Sequence, residues 1–350
     1  MQCCGLRSRT KWIFRPTAVS HSCRRRSIAT DASEAAAQLM HKFRDRTIVR
    51  KQMLDANQLQ RLCLTLGRST VAPGLDVTTE VPPDGTPIPP GYHLVYFTPA
   101  DLESSLGPDG TDQTYNAPAP FSRRMWAGGQ MSWEKDSPLR VGDVVEEHTT
   151  LRGATAKRSR SGGEMVLVDV RKEFWTKRGL SLTDQRSWIF RPPPEQAQTY
   201  LPNHLHRSTE RHIYERSTSQ DVQTDTSVST CPERHLRWSP VALFRFSALT
   251  FNAHMIHYNE TWTREVDGHQ ELVVHGPLNL INMLDYWRDH HFQTGDGPNT
   301  MSYRAMSPIF AGESYTIKTL ARRSNHSDSV ELVISKGNVV CMTGSITSSA

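Results

Sequence analysis

The fold of this chain is decided by one apolar stretch, Pro277-Leu278-Asn279-Leu280-Ile281-Asn282-Met283-Leu284-Asp285-Tyr286-Trp287-Arg288-Asp289-His290-His291. Its apolar side chains would cover most of the circumference of a helix, which predicts burial on several sides. Pro277 suits the first helical position, where a missing backbone N–H costs nothing. The sequence therefore predicts a long helix that is enclosed by other elements.

A weak internal repeat indicates what encloses that helix. The segment Pro138-Leu139-Arg140-Val141-Gly142-Asp143 recurs 170 residues later as Pro308-Ile309-Phe310-Ala311-Gly312-Glu313. Three runs with strand character follow each copy, and glycines between consecutive runs favour tight hairpins. The runs are 144–151, 165–175 and 180–190 in the first half, and 315–320, 330–335 and 339–346 in the second. Each half is predicted to end in a three-stranded antiparallel meander.

Composition and the repeat together divide the chain into five segments. They are residues 1–30, a basic leader; 31–90, a helical segment that ends in a Pro-rich connection; 91–191, the first half; 192–232, a linker; and 233–350, the second half with the long helix. The linker is poor in large apolar residues, so it cannot bury enough surface to fold alone. In the first half, Arg123–Met131 occupies the place that corresponds to the helix, but it is short and interrupted by glycine.

The charge of the chain is concentrated at its start. Residues 1–30 hold seven Arg and Lys residues and no Asp or Glu, which is the composition of a mitochondrial presequence. Without these seven, the 41 basic residues of the chain fall to 34 against 36 acidic residues. The rest of the chain has no basic surplus, so nucleic acid is not an expected partner. No apolar run approaches the ~18 residues that would span a membrane.

Candidate reactive groups lie just before the long helix. They are in Phe246-Ser247-Ala248-Leu249-Thr250-Phe251-Asn252-Ala253-His254-Met255-Ile256-His257-Tyr258 and Val274-His275-Gly276-Pro277. A histidine such as His257 both takes and returns a proton near neutrality. The N–H of Gly276 at a helix N-terminus would stabilise an oxyanion. His254 and His257 also have the spacing of a metal-binding pair on a helix, but no third ligand of clear spacing accompanies them, so no metal is expected.

These residues resemble the MaoC-like hydratases and dehydratases of the hotdog superfamily, in particular the fungal mitochondrial 3-hydroxyacyl-thioester dehydratase type 2 group. The superfamily pattern of Asp, any residue, Asn, Pro, any residue and His, followed later by His-Gly, falls without gaps on 252–257 and on His275-Gly276. Asn252 then replaces the usual catalytic carboxylate. An amide does not accept a proton at physiological pH, so Asn252 could only orient a water or hydroxyl group. The sequence Phe-Ser-Ala-Leu-Thr-Phe-Asn is typical of the type 2 group.

The resemblance implies an α+β double hotdog, in which two antiparallel sheets each curve around a central helix, the helix being best formed in the C-terminal half. It implies dehydration of (R)-3-hydroxyacyl thioesters to trans-2-enoyl thioesters of acyl carrier protein or CoA, without a cofactor, in fatty acid synthesis of the mitochondrial matrix. Acyl carrier protein is itself a candidate partner. Because two hotdogs occur in one chain, a monomer is expected as well as a homodimer.

The resemblance also assigns the site residues. His257, Asn252 and Gly276 are the expected catalytic groups, and His254 and His275 the expected substrate-binding groups, with His275 alternatively supporting the turn. In the first half, Arg123, Arg124 and Trp126 resemble the amino-terminal domain of the same family. A guanidinium pair beside an aromatic ring could bind the phosphates of CoA or phosphopantetheine, or these side chains could simply pack at the surface.

Three alternatives remain open. A hydratase for mesaconyl- or itaconyl-CoA would need a further arginine for the extra carboxylate, so Arg245 or Arg124 would point into the cavity. A noncatalytic acyl-thioester binding protein would be consistent with Asn252. A hotdog thioesterase is the third alternative, weakened because its attack on the carbonyl commonly needs a carboxylate in the site.

Overall fold

The computed structural model describes residues 31–159, 162–193, 215–223, 231–292, 297–324 and 327–349. The predicted presequence at 1–30 lies outside these residues, and so does most of the predicted linker at 192–232. In the described part of the chain, no helix is long and apolar enough to cross a membrane.

Antiparallel strands make up most of the described chain. They are β1 (Thr47–Met53), β2 (Thr70–Ala72), β3 (Leu75–Asp76), β4 (Arg123–Trp133), β5 (Val144–Arg158), β6 (Glu164–Thr176), β7 (Gly179–Arg191), β8 (Thr218–Val222), β9 (Glu233–Arg237), β10 (Thr300–Ala305), β11 (Tyr315–Ser324), β12 (Ser327–Lys336) and β13 (Val339–Ser349). The α-helices of the described residues are α1 (Ala32–Phe43), α2 (Ala56–Thr65), α3 (Pro240–Leu249) and α4 (Gly276–His290).

One sheet contains every strand of the described residues except the β2–β3 hairpin. Its 11 strands have the order β1-β5-β6-β7-β4-β10-β13-β12-β11-β9-β8. The first five strands precede the predicted linker, and the other six lie within it or after it. The halves meet where β4 pairs with β10, between the partners Gly128 and Arg304 at one end and Ser132 and Thr300 at the other. The predicted α+β double hotdog is confirmed, and its two sheets join edge to edge into one.

The internal repeat corresponds to two equivalent turns. In the first copy, the backbone N–H of Arg140 donates to the carboxylate of Asp143 at 2.8 Å. In the second copy, the N–H of Phe310 donates to Glu313 at 2.9 Å. The glycine before each acid has a positive φ, +86° in the first turn and +79° in the second, which other residues rarely adopt. The two turns therefore have the same structure, and each leads directly into the first strand of a meander.

The two predicted meanders are confirmed. The first consists of β5, β6 and β7, and the second of β11, β12 and β13, each paired in sequence order. The strands of both meanders extend beyond the predicted runs, because pairing between neighbouring strands continues further towards their ends. In the second meander, Gly337 supplies the positive φ, +53°, of the predicted turn.

The predicted enclosed helix is α4. Its apolar side chains are 0–1% exposed, and they form the main core with both halves of the sheet: Leu278, Leu280, Ile281, Met283, Leu284, Tyr286 and Trp287. Full burial of one such side chain is worth about 1.5–3 kcal/mol. Gly344 in β13 allows the helix to approach the sheet, because a Cβ there would overlap Met283.

The segment Arg123–Met131 is a central strand and not a short helix. It belongs to β4, which pairs with β7 on one side and β10 on the other. The prediction treated its two glycines as interruptions of a helix. In the structure they permit close packing at the seam, because a Cβ on Gly128 would lie 2.6 Å from the carbonyl oxygen of Tyr303, and one on Gly129 would overlap the carbonyl oxygen of Gln185.

The segment before the first half is only partly helical. Helices α1 and α2 are present, but β1 lies between them and extends the sheet by pairing with β5. Helix α1 covers β5 and β6, where Ala35 and Leu39 pack in a second apolar cluster with Val166 and Val168. The described part of the predicted linker also contains a strand, β8, which pairs with β9 at the far edge.

Candidate active site

A helix and a short loop present the first two histidines of the site. The side chain of Ser239 caps α3 by accepting from the N–H of Ala242. After the helix ends, the backbone passes through Phe251, which has a φ of +46°. The side chain of Asn252 then accepts from the N–H of His254 at 3.1 Å, just before a 3₁₀ turn at Met255–His257. This turn brings the two imidazole rings to a centroid separation of 5.4 Å.

His257 has one defined tautomer. Its Nδ1 lies 2.7 Å from the carbonyl oxygen of Val273. Because a carbonyl oxygen only accepts, Nδ1 carries the proton and Nε2 keeps a lone pair. Burial lowers the pKa of His257 to about 4, although the bond to Val273 opposes the shift. The ring is therefore neutral at pH 7, with Nε2 ready to accept a proton.

His275 supports this ring from one side. The two imidazoles stack at a centroid distance of 3.6 Å and an interplanar angle of 17°. Ser247 lies 2.9 Å from Nε2 of His275, and the ring of Phe246 meets it edge-on. Burial and the neighbouring His257 hold the pKa of His275 well below its usual value. These contacts fit the predicted support of the turn, and the predicted substrate contact stays a prediction.

Gly276 begins α4 beside the stacked histidines. A Cβ on Gly276 would lie 3.1 Å from both Cβ and Cγ of Trp126, tighter than ordinary contact. His275 makes no side-chain capping bond at this helix start. No described group accepts from the N–H of Gly276. The helix therefore offers a free donor at its positive end, as the predicted oxyanion site requires.

Trp126 brings the first half of the chain to the start of α4. Its ring stacks on Tyr303 at 6.2 Å and meets Trp188 nearly at right angles at 6.4 Å. The guanidinium of Arg186 lies 5.4 Å from the Trp126 ring centre. Strand β4 carries Trp126 and β10 carries Tyr303. The pairing of these two strands at the seam therefore holds the two stacked rings together, with Trp126 against Gly276 at the start of α4.

His254 is the third buried histidine of the site. Its Nε2 lies 3.6 Å from a carboxylate oxygen of Asp109, in a loop of the first half. Burial, the nearby His257 and the charge of Arg124 hold the pKa of His254 well below its usual value, while Asp267 opposes them. His254 is thus neutral at pH 7 and borders both the second histidine and an acidic group.

The side-chain oxygen and the backbone N–H of Asn252 both make hydrogen bonds that hold the histidine loop. Its Oδ1 accepts from the backbone of His254, and its own N–H donates to the carbonyl oxygen of Ser247 at 2.9 Å. Among the described residues, no group accepts from its Nδ2. Its predicted catalytic role stays a prediction, which only that free amide group could serve.

The two predicted phosphate-binding arginines already have carboxylate partners. Arg123 makes two bonds to the carboxylate of Asp267, at 2.9 and 3.1 Å. Although burial would raise the pKa of Asp267, bonds from His269 and Arg123 hold it well below the usual range. Arg124 donates to Asp112 at 2.8 Å. Both charges are paired, so phosphate binding by them stays a prediction.

Arg245 lies apart from the histidines. It is exposed on α3, next to the buried Phe246, and lines a cavity of about 660 Å³ together with Leu64, Arg216 and Trp238. None of the three site histidines lines that cavity. The structure does not bring Arg245 to the candidate site.

Sequence reasoning missed several contributors to the site. Asp109 lies in Pro108-Asp109-Gly110, whose turn signature was visible, but nothing local indicates that the turn meets a loop more than 140 residues away. Ser247 stands in the quoted stretch without an assigned partner. The carbonyl of Val273 carries no side-chain signal, because any residue there would present the same oxygen.

Comparisons with known proteins agree with this fold. The family model described as hydroxyacyl-thioester dehydratase type 2 matches residues 91–311. The chain is 30% identical over 251 residues to a mesaconyl-C(4)-CoA hydratase of Chloroflexus aurantiacus, covering 71% of this chain and 80% of that protein. It is 26% identical over 292 residues to the mitochondrial hydroxyacyl-thioester dehydratase type 2 of Schizosaccharomyces pombe, covering 77% of this chain and 89% of that protein.

A solved structure of a MaoC-like dehydratase has the same fold, with a TM-score of 0.60 at 12% identity, covering 88% of this chain and 98% of the other. The fold, the family match and the named relatives together define a MaoC-like hotdog hydro-lyase of the hydroxyacyl-thioester dehydratase and hydratase class. The chain belongs to the hydroxyacyl-thioester dehydratase type 2 family. This membership favours an enzyme over the noncatalytic binding protein.

Proposed function

We propose that the protein reversibly dehydrates (R)-3-hydroxyacyl thioesters of acyl carrier protein or CoA to trans-2-enoyl thioesters. The observation that carries this proposal is the pairing of a neutral His257, whose Nε2 is unprotonated, with the free N–H of Gly276 at the start of α4. A base for a carbon acid and a donor for the resulting oxyanion are the two requirements of this reaction.

The reaction needs only one proton relay. The thioester carbonyl oxygen accepts the N–H of Gly276, which stabilises negative charge as the α-proton leaves. Nε2 of His257 takes that proton and becomes an imidazolium. The bond between the β-carbon and the hydroxyl oxygen then breaks, the imidazolium returns the proton to this oxygen, and water leaves. His275, stacked on the ring and neutral, adds no competing positive charge.

A second candidate is a hydratase for mesaconyl- or itaconyl-CoA. The observation that favours it is the position of Arg124, which is close enough to His254 and His257 for its charge to lower both pKa values. An arginine there suits an extra carboxylate on the acyl group. Its pairing with Asp112 weakens this reading, because the ion pair must open before a substrate carboxylate replaces Asp112.

Activity on a panel of substrates distinguishes the straight-chain dehydratase from the mesaconyl- or itaconyl-CoA hydratase. Purified protein would be assayed with crotonyl-CoA, longer trans-2-enoyl thioesters on CoA and on acyl carrier protein, and mesaconyl- and itaconyl-CoA, with product stereochemistry recorded. We expect the straight-chain substrates to have the highest kcat/KM and to give the (R) product. A preference of about 10-fold or more for the dicarboxylyl substrates would support the second candidate instead. No turnover of any hydroxyacyl or enoyl thioester would contradict both.

We infer that the enzyme works in the mitochondrial matrix, in fatty acid synthesis. The acid-free basic composition of residues 1–30 supports this, as does the likeness to a relative that is described as mitochondrial. A fusion of residues 1–30 to a fluorescent protein should enter mitochondria, and a fusion in which the seven basic residues are replaced by Gln should not. Import of both fusions, or of neither, would contradict the targeting role.

A further inference from the structure

The candidate site holds one carboxylate that the mechanism above does not use. It belongs to Asp109, in the loop Gly107–Asp112 of the first half of the chain. Oδ2 of Asp109 lies 3.6 Å from Nε2 of His254, and Oδ1 is held by the N–H and hydroxyl of Thr111 at 3.1 and 2.7 Å. The acid is therefore fixed in orientation, with one oxygen directed at an imidazole of the site.

This loop is docked on the histidine-bearing loop by its backbone. The N–H of Met255 donates to the carbonyl oxygen of Asp109 at 2.8 Å. Gly110 has a φ of +82°, and a Cβ there would overlap the carbonyl oxygen of Ala253. Asp112, at the loop's end, pairs with Arg124 of β4. Contacts on both sides thus place Asp109 against His254 independently of any attraction between the two side chains.

Some polar atoms near His257 are already engaged, while among the described residues Nδ1 of His275 is buried without a partner and Nδ2 of Asn252 remains a free donor. His275 uses Nε2 for Ser247, and its face is covered by the stacked ring. The oxygen of Asn252 is occupied by the backbone of His254. Nδ1 of His254 also has no partner among the described residues, and its ring lies edge-on to His257 at 5.4 Å. It is the free acceptor best placed beside the reacting centre.

We propose that Asp109 is a positioning residue that keeps the proton of His254 on Nε2, so that Nδ1 accepts a hydrogen bond from the β-hydroxyl group of the substrate. The proposal rests on the proposed function and extends it. With its proton directed at Nδ1 of His254, the β-oxygen presents a lone pair to the imidazolium of His257. That oxygen receives the relayed proton as the C–O bond breaks, and the departing water keeps the bond to His254. No proton is gained or lost at His254.

The titratable and charged groups around His254 come from several elements. They are Asp109 from the docked loop, Arg124 from β4, Asp267 and His269 from the segment before α4, and His257 from its own turn. Asp267 is committed to Arg123 and His269. Among the described residues, Asp109 supplies the carboxylate oxygen that lies within 4 Å of a ring nitrogen of His254, at 3.6 Å from Nε2. A carboxylate 3.6 Å from Nε2 favours the tautomer that carries the proton on that nitrogen, although this separation is longer than a hydrogen bond.

The first test is the tautomer itself, read from the ¹⁵N shifts of the His254 ring in the full chain. We expect the wild type to carry its proton on Nε2. Asp109→Asn, which keeps the bonds to Thr111 but can also donate, should give a mixture of tautomers. A wild-type ring protonated on Nδ1, or a variant ring unchanged from wild type, would overturn the proposal. This measurement uses no substrate, so it is independent of the proposed function.

The second test is kinetic. Asp109→Asn should lower kcat by about 10- to 100-fold with little change in KM, because the hydroxyl is misdirected rather than unbound. In a His254→Gln background the same change should have less than about a 2-fold effect, because it acts through that ring. The matched control is Asp101→Asn, an exposed carboxylate before the same loop, which should leave both parameters unchanged.

The outcomes separate the two claims. If the wild type turns over no hydroxyacyl or enoyl thioester, the proposed function fails, whatever the tautomer of His254. If the wild type is active and Asp109→Asn keeps its kcat within about 2-fold, only the role of Asp109 fails. An equal loss in the His254→Gln background would also overturn it, because the acid would then act on something other than His254. Unfolding midpoints of all variants establish that the fold is retained.

Discussion

The Nδ1–H of His257 donates a 2.7 Å hydrogen bond to the carbonyl oxygen of Val273. This bond joins the histidine loop to the extended segment that leads directly into His275 and α4. It therefore sets the tautomer of the proposed base and also sets its position relative to the helix start that carries the proposed oxyanion donor. Stacking by His275 holds the ring from the other side.

Buried neutral histidines should make the fold sensitive to acid. The pKa of His257 is about 4 in the folded protein, against ~6.5 when unfolded. The unfolded chain then binds more protons in this window, so stability falls as the pH drops from about 6.5 towards 4, by up to ~1.4 kcal/mol per pH unit for each such histidine. His254 and His275 shift in the same direction.

Urea unfolding at pH 7 and pH 5 measures this effect. The free energy of unfolding should be lower at pH 5, and His257→Gln should reduce the difference. His235→Asn, a change at a half-exposed histidine in β9, is the control and should leave the difference as in wild type. Equal stability of the wild type at both pH values would contradict the burial of these rings as neutral groups.

Gly276→Ala should impair catalysis by crowding the proposed oxyanion site. The added Cβ would lie 3.1 Å from Trp126, so the ring or the start of α4 must shift. We expect kcat/KM to fall by roughly 10²-fold, as for loss of one oxyanion donor. Gly297→Ala, where a Cβ meets nothing within 4 Å, is the matched control. Steady-state hydration of crotonyl-CoA checks this, and wild-type kinetics for the Gly276 variant would contradict the assignment.

Arg123→Gln should affect stability more than substrate affinity. The guanidinium links β4 to Asp267 in the segment before α4, and its removal leaves that carboxylate underpaired, at a cost of about 1–3 kcal/mol. The KM for a CoA thioester should change by less than about 3-fold.

The control for this prediction is Arg264→Gln, which breaks a more exposed pair with Glu271. It should change neither quantity. A large rise in KM for the CoA thioester, absent with the corresponding pantetheine thioester, would show that Arg123 binds a CoA phosphate after all.

Gly129→Ala should weaken the seam between the two halves. A Cβ there would overlap the carbonyl oxygen of Gln185 and lie 2.7 Å from the hydroxyl of Tyr303. Since this seam positions Trp126, both the unfolding midpoint and kcat should fall. Gly153→Ala in β5 is the matched control, because its Cβ would make only an ordinary 3.7 Å contact. Similar midpoints for the two variants would contradict the close approach at the seam.

The parts of the fold that were predictable have local signals. Helix α4 follows from its apolar residues and its Pro at the N-terminus, and the meanders follow from alternation and glycine turns. Strand β4 was missed because its two glycines, Gly128 and Gly129, leave room for close packing against β7 and β10. Those strands come from distant parts of the chain, so the local sequence does not reveal this packing. Strand β1 was missed because its alternating, partly exposed residues Thr47–Met53 lie between two helices and acquire strand structure by pairing with β5.

The candidate site also divides into residues with a local sequence signal and residues whose place depends on distant parts of the chain. His257 and Gly276 could be proposed because their residue types and their place before α4 are chemically specific. The role of Arg245 could not be judged, because one step along α3 separates the buried Phe246 from an exposed position. Asp109 could not be proposed at all. Its contact with His254 depends on the docking of a loop from the other half of the chain, and that docking is made largely by backbone groups.

The central claim is that His257 relays the proton, and the most direct test compares the wild type with His257→Gln on (R)-3-hydroxybutyryl and crotonyl thioesters. We expect the wild type to interconvert them and the variant to lose ~10²-fold or more in kcat while it remains folded at the assay temperature, with a lower unfolding midpoint because the bond to Val273 is lost. A folded His257→Gln protein that keeps its kcat within about 3-fold of wild type would contradict the account, because the proton must then travel by another group.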